Sequence, residues 1–471
     1  MPKPYSSRKK ETLIGSFIFI IFSVLIIVSA SRFDTIRDFF SQAMSTPANI
    51  IIDGQAIVGP LNRSWLNLAQ GGESHDWRIS PIAKQVQALN PEYIRLDHIF
   101  SFYDIVQGSP QNLSFDFSKL DLILNDILAV GAKPYIALSY MPQTISQGDI
   151  VDAPHHWTDW QITIQRTIEH ISGTLGIENV YYEVWNEPDL FGGWKTYGSK
   201  NYLTMYSYAA LGAQAAEQQS HVKNFYLGGP GTTALYRNWF HALAKHTIDN
   251  NLKYDFFSWH RYDHNLDVFE KDLIQLQSWL ARYPQLKKLK LHLTEWGPDS
   301  KNSVAYDNTY GAAHTVAGAI VLNQLTDRAF IFEIQDGKDP NNQTHWGRWG
   351  LLTHQDFGSR PKPRYYALQL LNKIGDQKLY ITGQGSWVKA IAARNYRDNI
   401  DFVMANADLN YHRHEAVPIT FTNILPGEYD LNLEFLDGRK ESIPLTTAEY
   451  TLRTEIGMNP NTVVYGELIK K

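Results

Sequence analysis

Two glutamates stand where carboxylate chemistry is easy to build. Glu187 lies in Trp185-Asn186-Glu187-Pro188, directly after the apolar run 180–184, and Glu295 lies in Thr294-Glu295-Trp296, closing the run 289–294. Breaking an acetal needs one carboxyl to protonate the departing oxygen and another to meet the oxocarbenium-like charge. When the two sit about 5–5.5 Å apart, the second can attack directly and configuration is retained. Their surroundings must then push the two pKa values apart, one group protonated and one ionised. A lone strand-end glutamate is more often a cap or an ion-pair partner. Two of them, each within two residues of a tryptophan and 108 residues apart, favour a shared site.

Such a pair needs a scaffold that brings distant strand ends together. From about residue 65, short apolar runs alternate with amphipathic stretches, the rhythm of βαβα folds. The expected strands are 65–69, 93–97, 134–139, 180–184, 225–228, 256–259, 289–294 and 329–334. Helical spacing is clearest at 118–130, 157–175 and 365–374, each stopped by a glycine. Eight strand–helix repeats predict a (β/α)₈ TIM barrel over 47–375, whose catalytic groups sit at the carboxyl ends of the strands. Glu187 and Glu295 then belong to strands four and seven. A doubly wound open sheet would carry a Gly-rich phosphate turn after its first strand, and none is evident. Beyond Gly375, short strands at 379–381, 388–393, 400–405, 417–421, 428–434 and 463–468 are separated by Gly, Pro, Asn and Asp. They predict an antiparallel β-sandwich over 376–471, and the segment 47–60 is a candidate further strand of it.

Composition narrows the partners. The 471 residues carry 43 basic and 48 acidic side chains, a net charge of −5 with neither sign clustered, which argues against a nucleic-acid partner. There is no cysteine, so disulfides, thiolate nucleophiles and Cys-based metal sites are excluded. The 13 Trp and 26 Tyr fit either a large core or stacking surfaces for sugar rings. His155-His156 and His412-Arg413-His414 lack a metal-ligand spacing and read as surface loops. Gly192-Gly193-Trp194 reads equally as a turn or as a stacking platform at the mouth.

The amino terminus carries an uncharged apolar run of 18 residues, 13–30, preceded by Arg8, Lys9 and Lys10. The positive-inside rule predicts a cytoplasmic basic tail and a transmembrane anchor within 1–32, with the rest exported. A cleavable signal peptide is the alternative, with small residues at Ser29-Ala30-Ser31. A polar stalk is expected over 33–46. Triplets at Asn62, Asn112 and Asn342 match glycosylation acceptors, a pattern that also arises by chance.

The segments YYEVWNEPD and LHLTEWG, with ALSYMPQ, FSWHRY, WGLL and KPRYYALQLL around them, resemble the retaining glycosidases of glycoside hydrolase clan A, and family 39 in particular, over most of the chain. The resemblance implies a TIM barrel with an accessory β-sandwich and a retaining mechanism without metal or cofactor. It implies Glu187 as acid/base and Glu295 as nucleophile. Asn186 would bond the sugar 2-hydroxyl, Tyr262 would donate to Glu295, and His260 would line the innermost subsite. Arg95 would support the nucleophile electrostatically, while Trp296 and Asp336 would lie at the mouth. Where the family tends to read Arg-x-His-Gly, this chain reads Arg95-Leu96-Asp97-His98, so Asp97 or His98 takes the sugar-contacting place. The implied substrates are β-D-xylosides, α-L-iduronides or bacterial exopolysaccharides. No basic cluster in the motif segments answers an iduronide carboxylate. A non-catalytic glycan-binding protein and an endo-acting clan A hydrolase of another family are the alternatives.

Overall fold

The computed structural model describes residues 45–71, 75, 77–323, 326–337 and 348–471. The apolar run at 13–30, its basic flank, the stalk up to residue 44 and the triplet at 342–344 lie outside the described residues. Among the described residues, no helix is long and apolar enough to cross a membrane.

Among the described residues the first element is β1 (Ile50–Pro60), followed by a closed barrel of eight parallel strands. These are β2 (Asn67–Gln70), β3 (Tyr93–Leu96), β6 (Lys133–Leu138), β7 (Val180–Val184), β8 (Phe225–Thr232), β9 (Phe256–Tyr262), β10 (Lys290–Gly297) and β11 (Arg328–Phe332). A hairpin absent from the expected elements, β4 (Val106–Ser109) with β5 (Asn112–Phe115), is inserted after β3. The barrel order places β7 fourth and β10 seventh, so Glu187 and Glu295 do occupy the ends of strands four and seven.

Side chains of a strand alternate between faces, so every second residue fills the barrel in layers. At the amino ends of the strands, Tyr93, Tyr181 and Tyr226 pack together, with the Arg328 guanidinium 4.1 Å above the Tyr93 ring. The next layer joins Tyr135, Phe256, His292 and Phe330. Above this aromatic plug the same parity brings Arg95 on β3 and Glu183 on β7 into the barrel. Aromatic richness is therefore largely core: Trp65, Trp160, Trp185, Trp194, Trp259 and Trp296 are all fully buried. Trp194 packs edge-on against Trp185 and Trp157, which settles the Gly192-Gly193-Trp194 segment as a turn rather than a platform.

The carboxyl-terminal domain departs from the expected sandwich. Its strands are β12 (Gln377–Thr382), β13 (Val388–Arg394), β14 (Ile400–Asn406), β15 (Glu415–Thr422), β16 (Gly427–Phe435), β17 (Lys440–Thr447), β18 (Thr451–Met458) and β19 (Val463–Lys470). With β1 they form a single nine-stranded sheet in the order β17-β16-β19-β14-β13-β12-β1-β15-β18. The two edge strands, β17 and β18, are consecutive in the chain, so the sheet curls almost into a barrel rather than splitting into two layers. All pairings are antiparallel except β1 with β15. Inside it lie Ile50, Ile52, Phe402, Met404, Phe421, Leu431 and Leu433. β17 and β18 were not expected from sequence, because β17 buries none of its residues fully.

This sheet packs against the side of the barrel. Helix Thr309–Leu322, which follows β10, is buried on nearly every side between barrel and β domain. Val403, Ala405 and Val463 join the barrel's own apolar core. A helix buried all round must be apolar throughout, and its many Ala and Gly residues permit close approach. Gly318 is one such point, where an added Cβ would sit 2.5 Å from the Trp296 ring. Replacing Gly318 by Ala raises intrinsic helix propensity, yet we expect it to destabilise by about 1–3 kcal/mol through overpacking. Thermal or urea unfolding measures the sign; a stabilised variant would mean the ring yields freely.

Candidate active site

Arg95 organises the floor of the site. It is fully buried, and burying a guanidinium costs several kcal/mol unless it is paired and hydrogen-bonded. Its Nε donates to Glu183 Oε2 at 2.8 Å and its Nη1 to Glu295 Oε1 at 2.9 Å. Its Nη2 donates to Asn186 Oδ1 at 2.7 Å and also lies 2.7 Å from Glu183 Oε2. One side chain thus ties strand two to strands four and seven. Glu183 takes its remaining donor from Thr294 Oγ1 at 2.8 Å. Space for Glu183 comes from Gly231 on β8, whose φ is +60° and whose added Cβ would lie 3.0 Å from Glu183 Oε1.

Two local irregularities aim the carboxylates. On β10 the register against β9 slips between Leu293 and Glu295, the mark of a β-bulge. Thr294 and Glu295 consequently both reach inward, and Trp296 is turned outward. After β7 the chain passes through positive φ at Trp185 (76°) and at Glu187 (46°). Each such conformation costs a non-glycine residue about 1–3 kcal/mol and persists only where its surroundings enforce it. Here the Glu187 amide donates to Gly231 O at 2.9 Å and the Trp185 indole N–H to Phe191 O at 3.2 Å.

The two carboxylates converge on His260. Its Nδ1 lies 2.8 Å from Glu187 Oε1 and 3.5 Å from Glu295 Oε2. One atom from each of Glu187, His260 and Glu295 lies within 4.8 Å of the others. Tyr262 donates its hydroxyl to Glu295 Oε2 at 2.8 Å. Burial pushes the Glu295 carboxyl up, with His260 and Arg95 pulling it back. Burial alone would lower the His260 imidazole, but the Glu295 and Glu187 carboxylates outweigh it and raise it. Among the described residues this trio is the one group whose ligating atoms are close enough to share a metal ion. Arg95 and Tyr262 already donate to the two Glu295 oxygens, one as a cation and one as a neutral hydroxyl.

These groups open into a cavity of about 740 Å³, with Asp97, His98, Tyr140, Asn186, Glu187, Tyr262 and Glu295 on its inner wall. Leu190, Phe191, Thr233 and Trp349 also line it. Asn186 Nδ2 donates to Asp97 Oδ2 at 3.2 Å and to Tyr140 Oη at 3.1 Å. Burial raises the Asp97 carboxyl to about 6 and lowers the His98 imidazole to about 4. Of the residues expected from sequence, Asp97, His98, Asn186, Glu187, Tyr262 and Glu295 line the cavity, and Arg95 and His260 lie just beneath it.

Two expectations require correction. Trp296 is absent from the cavity wall: the β10 bulge faces it outward, where it packs against Phe269 and His314 and is 1% exposed. Asp336 is buried behind the wall. It accepts from Lys362 Nζ at 2.8 and 2.9 Å and from the Gly350 amide at 2.8 Å, which fixes the segment carrying Trp349. Glu183, Thr294 and Tyr140 were not singled out. A carboxylate inside an apolar strand was the available signal for Glu183, since a buried charge demands a partner.

Comparison with known proteins agrees with this geometry. Residues 50–444 match glycosyl hydrolases family 39. A beta-xylosidase of Caldicellulosiruptor saccharolyticus is 26% identical over 406 residues, covering 78% of this chain and 79% of that protein. Among solved structures, a monomeric beta-xylosidase from Caulobacter crescentus CB15 superposes with a TM-score of 0.73 at 22% identity, covering 90% of this chain and 99% of that one. A bacterial orthologue of human α-L-iduronidase superposes at 0.68 with 16% identity, covering 91% and 84%. With a barrel carrying strand-end glutamates four and seven and a match over most of its length, the chain belongs to glycoside hydrolase family 39 and is an O-glycosyl hydrolase.

Proposed function

We propose that the chain is a retaining β-glycosidase of the xylosidase type, with Glu187 as acid/base and Glu295 as nucleophile. The observation that carries this reading is the approach of a Glu187 oxygen to within 4.8 Å of a Glu295 oxygen, which suits direct attack rather than activation of an intervening water. Glu295 attacks the anomeric carbon while Glu187 gives its proton to the departing glycosidic oxygen, leaving a glycosyl ester on Glu295. Glu187 then takes a proton from water, the water oxygen attacks the same carbon, and Glu295 leaves. Arg95 and Tyr262 favour the ionised form of Glu295, since donors and positive charge beside a carboxylate stabilise its anion. The basic flank and apolar run at 8–30 support a site of action outside the cytoplasm, on a cell-surface or extracellular glycan.

Glu295→Gln should lower turnover of an aryl β-D-xyloside by at least about a thousandfold. NMR of the product from the native protein should show the β-anomer first; α-anomer as first product would refute retention. Tyr262→Phe removes a donor to the ionised nucleophile. The Glu295 pKa should then rise, and the acidic limb of the kcat/KM profile should move to higher pH. A limb that stays in place would show that Tyr262 does not tune this carboxyl.

A further inference from the structure

Two carboxyl groups outside the active site meet in the seam between the β domain and the barrel. Residues of β14 alternate between the two faces of the sheet. Phe402 and Met404 fill the interior of the β domain, whereas Val403 and Ala405 join the apolar core of the barrel. Asp401 shares the parity of Val403 and Ala405 and is fully buried. Antiparallel pairing sets Glu467 of β19 directly opposite it, so both side chains leave the same face. Like charges in directly opposed positions destabilise a sheet. One amide spans the pair: Asn395 Nδ2 donates to Asp401 Oδ1 at 2.9 Å and to Glu467 Oε1 at 3.0 Å. Asn399 Nδ2 adds a second donor to Glu467 Oε1 at 2.8 Å.

Donor supply decides which of the two can carry charge. An ionised carboxylate accepts about four hydrogen bonds, yet Asp401 Oδ2 is buried with no hydrogen-bond partner. The cations nearby are committed elsewhere. Lys373 pairs with Glu434 at 2.7 Å, Arg63 with Asp376 at 2.8 Å, and Arg394 with Asp398, while Arg397 lies over the Tyr396 ring. Among the described residues, none of these cations forms an ion pair with Asp401 or Glu467. Burial, and after it the Glu467 charge, push the Asp401 carboxyl up to about 7, against the pull of the Tyr465 hydroxyl, the Asn395 amide and the Gly375 N–H. Gly375 belongs to the connection from the barrel into β12, where Arg63 donates to its carbonyl at 3.2 Å. The carboxyl thus abuts the link between the two domains.

We propose that Asp401 and Glu467 form a proton-held lock in this seam: a proton on Asp401 lets the pair stay buried, and its loss sets two anions face to face and loosens the β domain from the barrel. The sign of the effect follows from which state holds the proton. An Asp in an unfolded chain titrates at about 3.9. Below that pH both states are protonated and the lock is fully present. Between about pH 4 and 7 only the folded chain keeps the proton, so unfolding releases it and stability falls as pH rises. Above the folded value neither state holds it, and the dependence ends.

The test is urea unfolding of the full chain, followed by circular dichroism from about pH 5 to about pH 9, for the native protein, Asp401→Asn and Glu467→Gln. Asn keeps the shape of a neutral carboxyl and cannot ionise. Relative to Asp401→Asn, the native unfolding constant should rise about tenfold per pH unit up to about pH 7, the signature of one proton, and run parallel above it. Glu467→Gln removes the opposing charge, so the pH at which the native curve bends should drop. Native and Asp401→Asn curves that stay parallel throughout would overturn the proposal, as would a bend that Glu467→Gln leaves in place. Should Asp401→Asn fail to fold, infrared spectra of the other two proteins still decide. The C=O band of a protonated carboxyl should vanish near neutral pH in the native protein and at lower pH in Glu467→Gln; identical titrations would refute the pairing.

Discussion

The burial of Arg95 is the constraint on which the site depends. A guanidinium at zero exposure is tolerable only if it is paired and hydrogen-bonded, and each of its three nitrogens finds a partner on or just after two other strands. Glu183 neutralises it, which frees the remaining donors to orient Glu295 and Asn186 without leaving uncompensated charge in the barrel. Beside this ion pair the His260 imidazole faces Glu187 and Glu295, and both carboxylates raise its pKa. Thr294 completes the arrangement by holding the far oxygen of Glu183. Removing Arg95 or Glu183 leaves a buried ion without its partner, and removing Thr294 or Asn186 leaves a buried polar group one hydrogen bond short, so the cluster acts as a unit.

The cluster in turn depends on the layers below and beside it. The aromatic plug of Tyr93, Tyr135, Tyr181, Phe256 and Phe330 seals the amino end of the barrel and sets the parity by which Arg95 and Glu183 point inward. The bulge on β10 breaks that parity once, at the position where two consecutive side chains, Thr294 and Glu295, must both face the site. Behind this strand the buried helix Thr309–Leu322 is clamped by the β domain. The accessory sheet thereby stiffens the strand that carries Glu295, at some distance from the cavity itself.

Sequence reading reached the barrel and most of the residues that meet in its mouth, because strand-end carboxylates leave a pattern of apolar run followed by charge. It failed where parity is locally broken or where partners are distant. Trp296 follows a glutamate that faces inward, and nothing in the linear pattern announces a bulge, so its outward turn was invisible. Asp336 sits at a strand end as a catalytic group would, yet its partner Lys362 arrives from the start of a later helix. Glu183 was hidden inside a motif dominated by its neighbours. In the β domain, alternation identified strands but not which sheet each joins. β17 escaped because it buries no residue fully, and curling rather than stacking depends on long-range pairing between β1 and β15.

The central claim is that Glu295, held by Arg95 and Tyr262 and paired with Glu187, forms a covalent bond to the sugar. Trapping tests it most directly: the native protein is incubated with 2-deoxy-2-fluoro-β-D-xylosyl fluoride, followed by intact mass measurement and peptide sequencing. The account predicts one fluoroxylosyl adduct per chain, carried by Glu295. An adduct on Glu187, or continued turnover of this compound with no adduct formed, would contradict it.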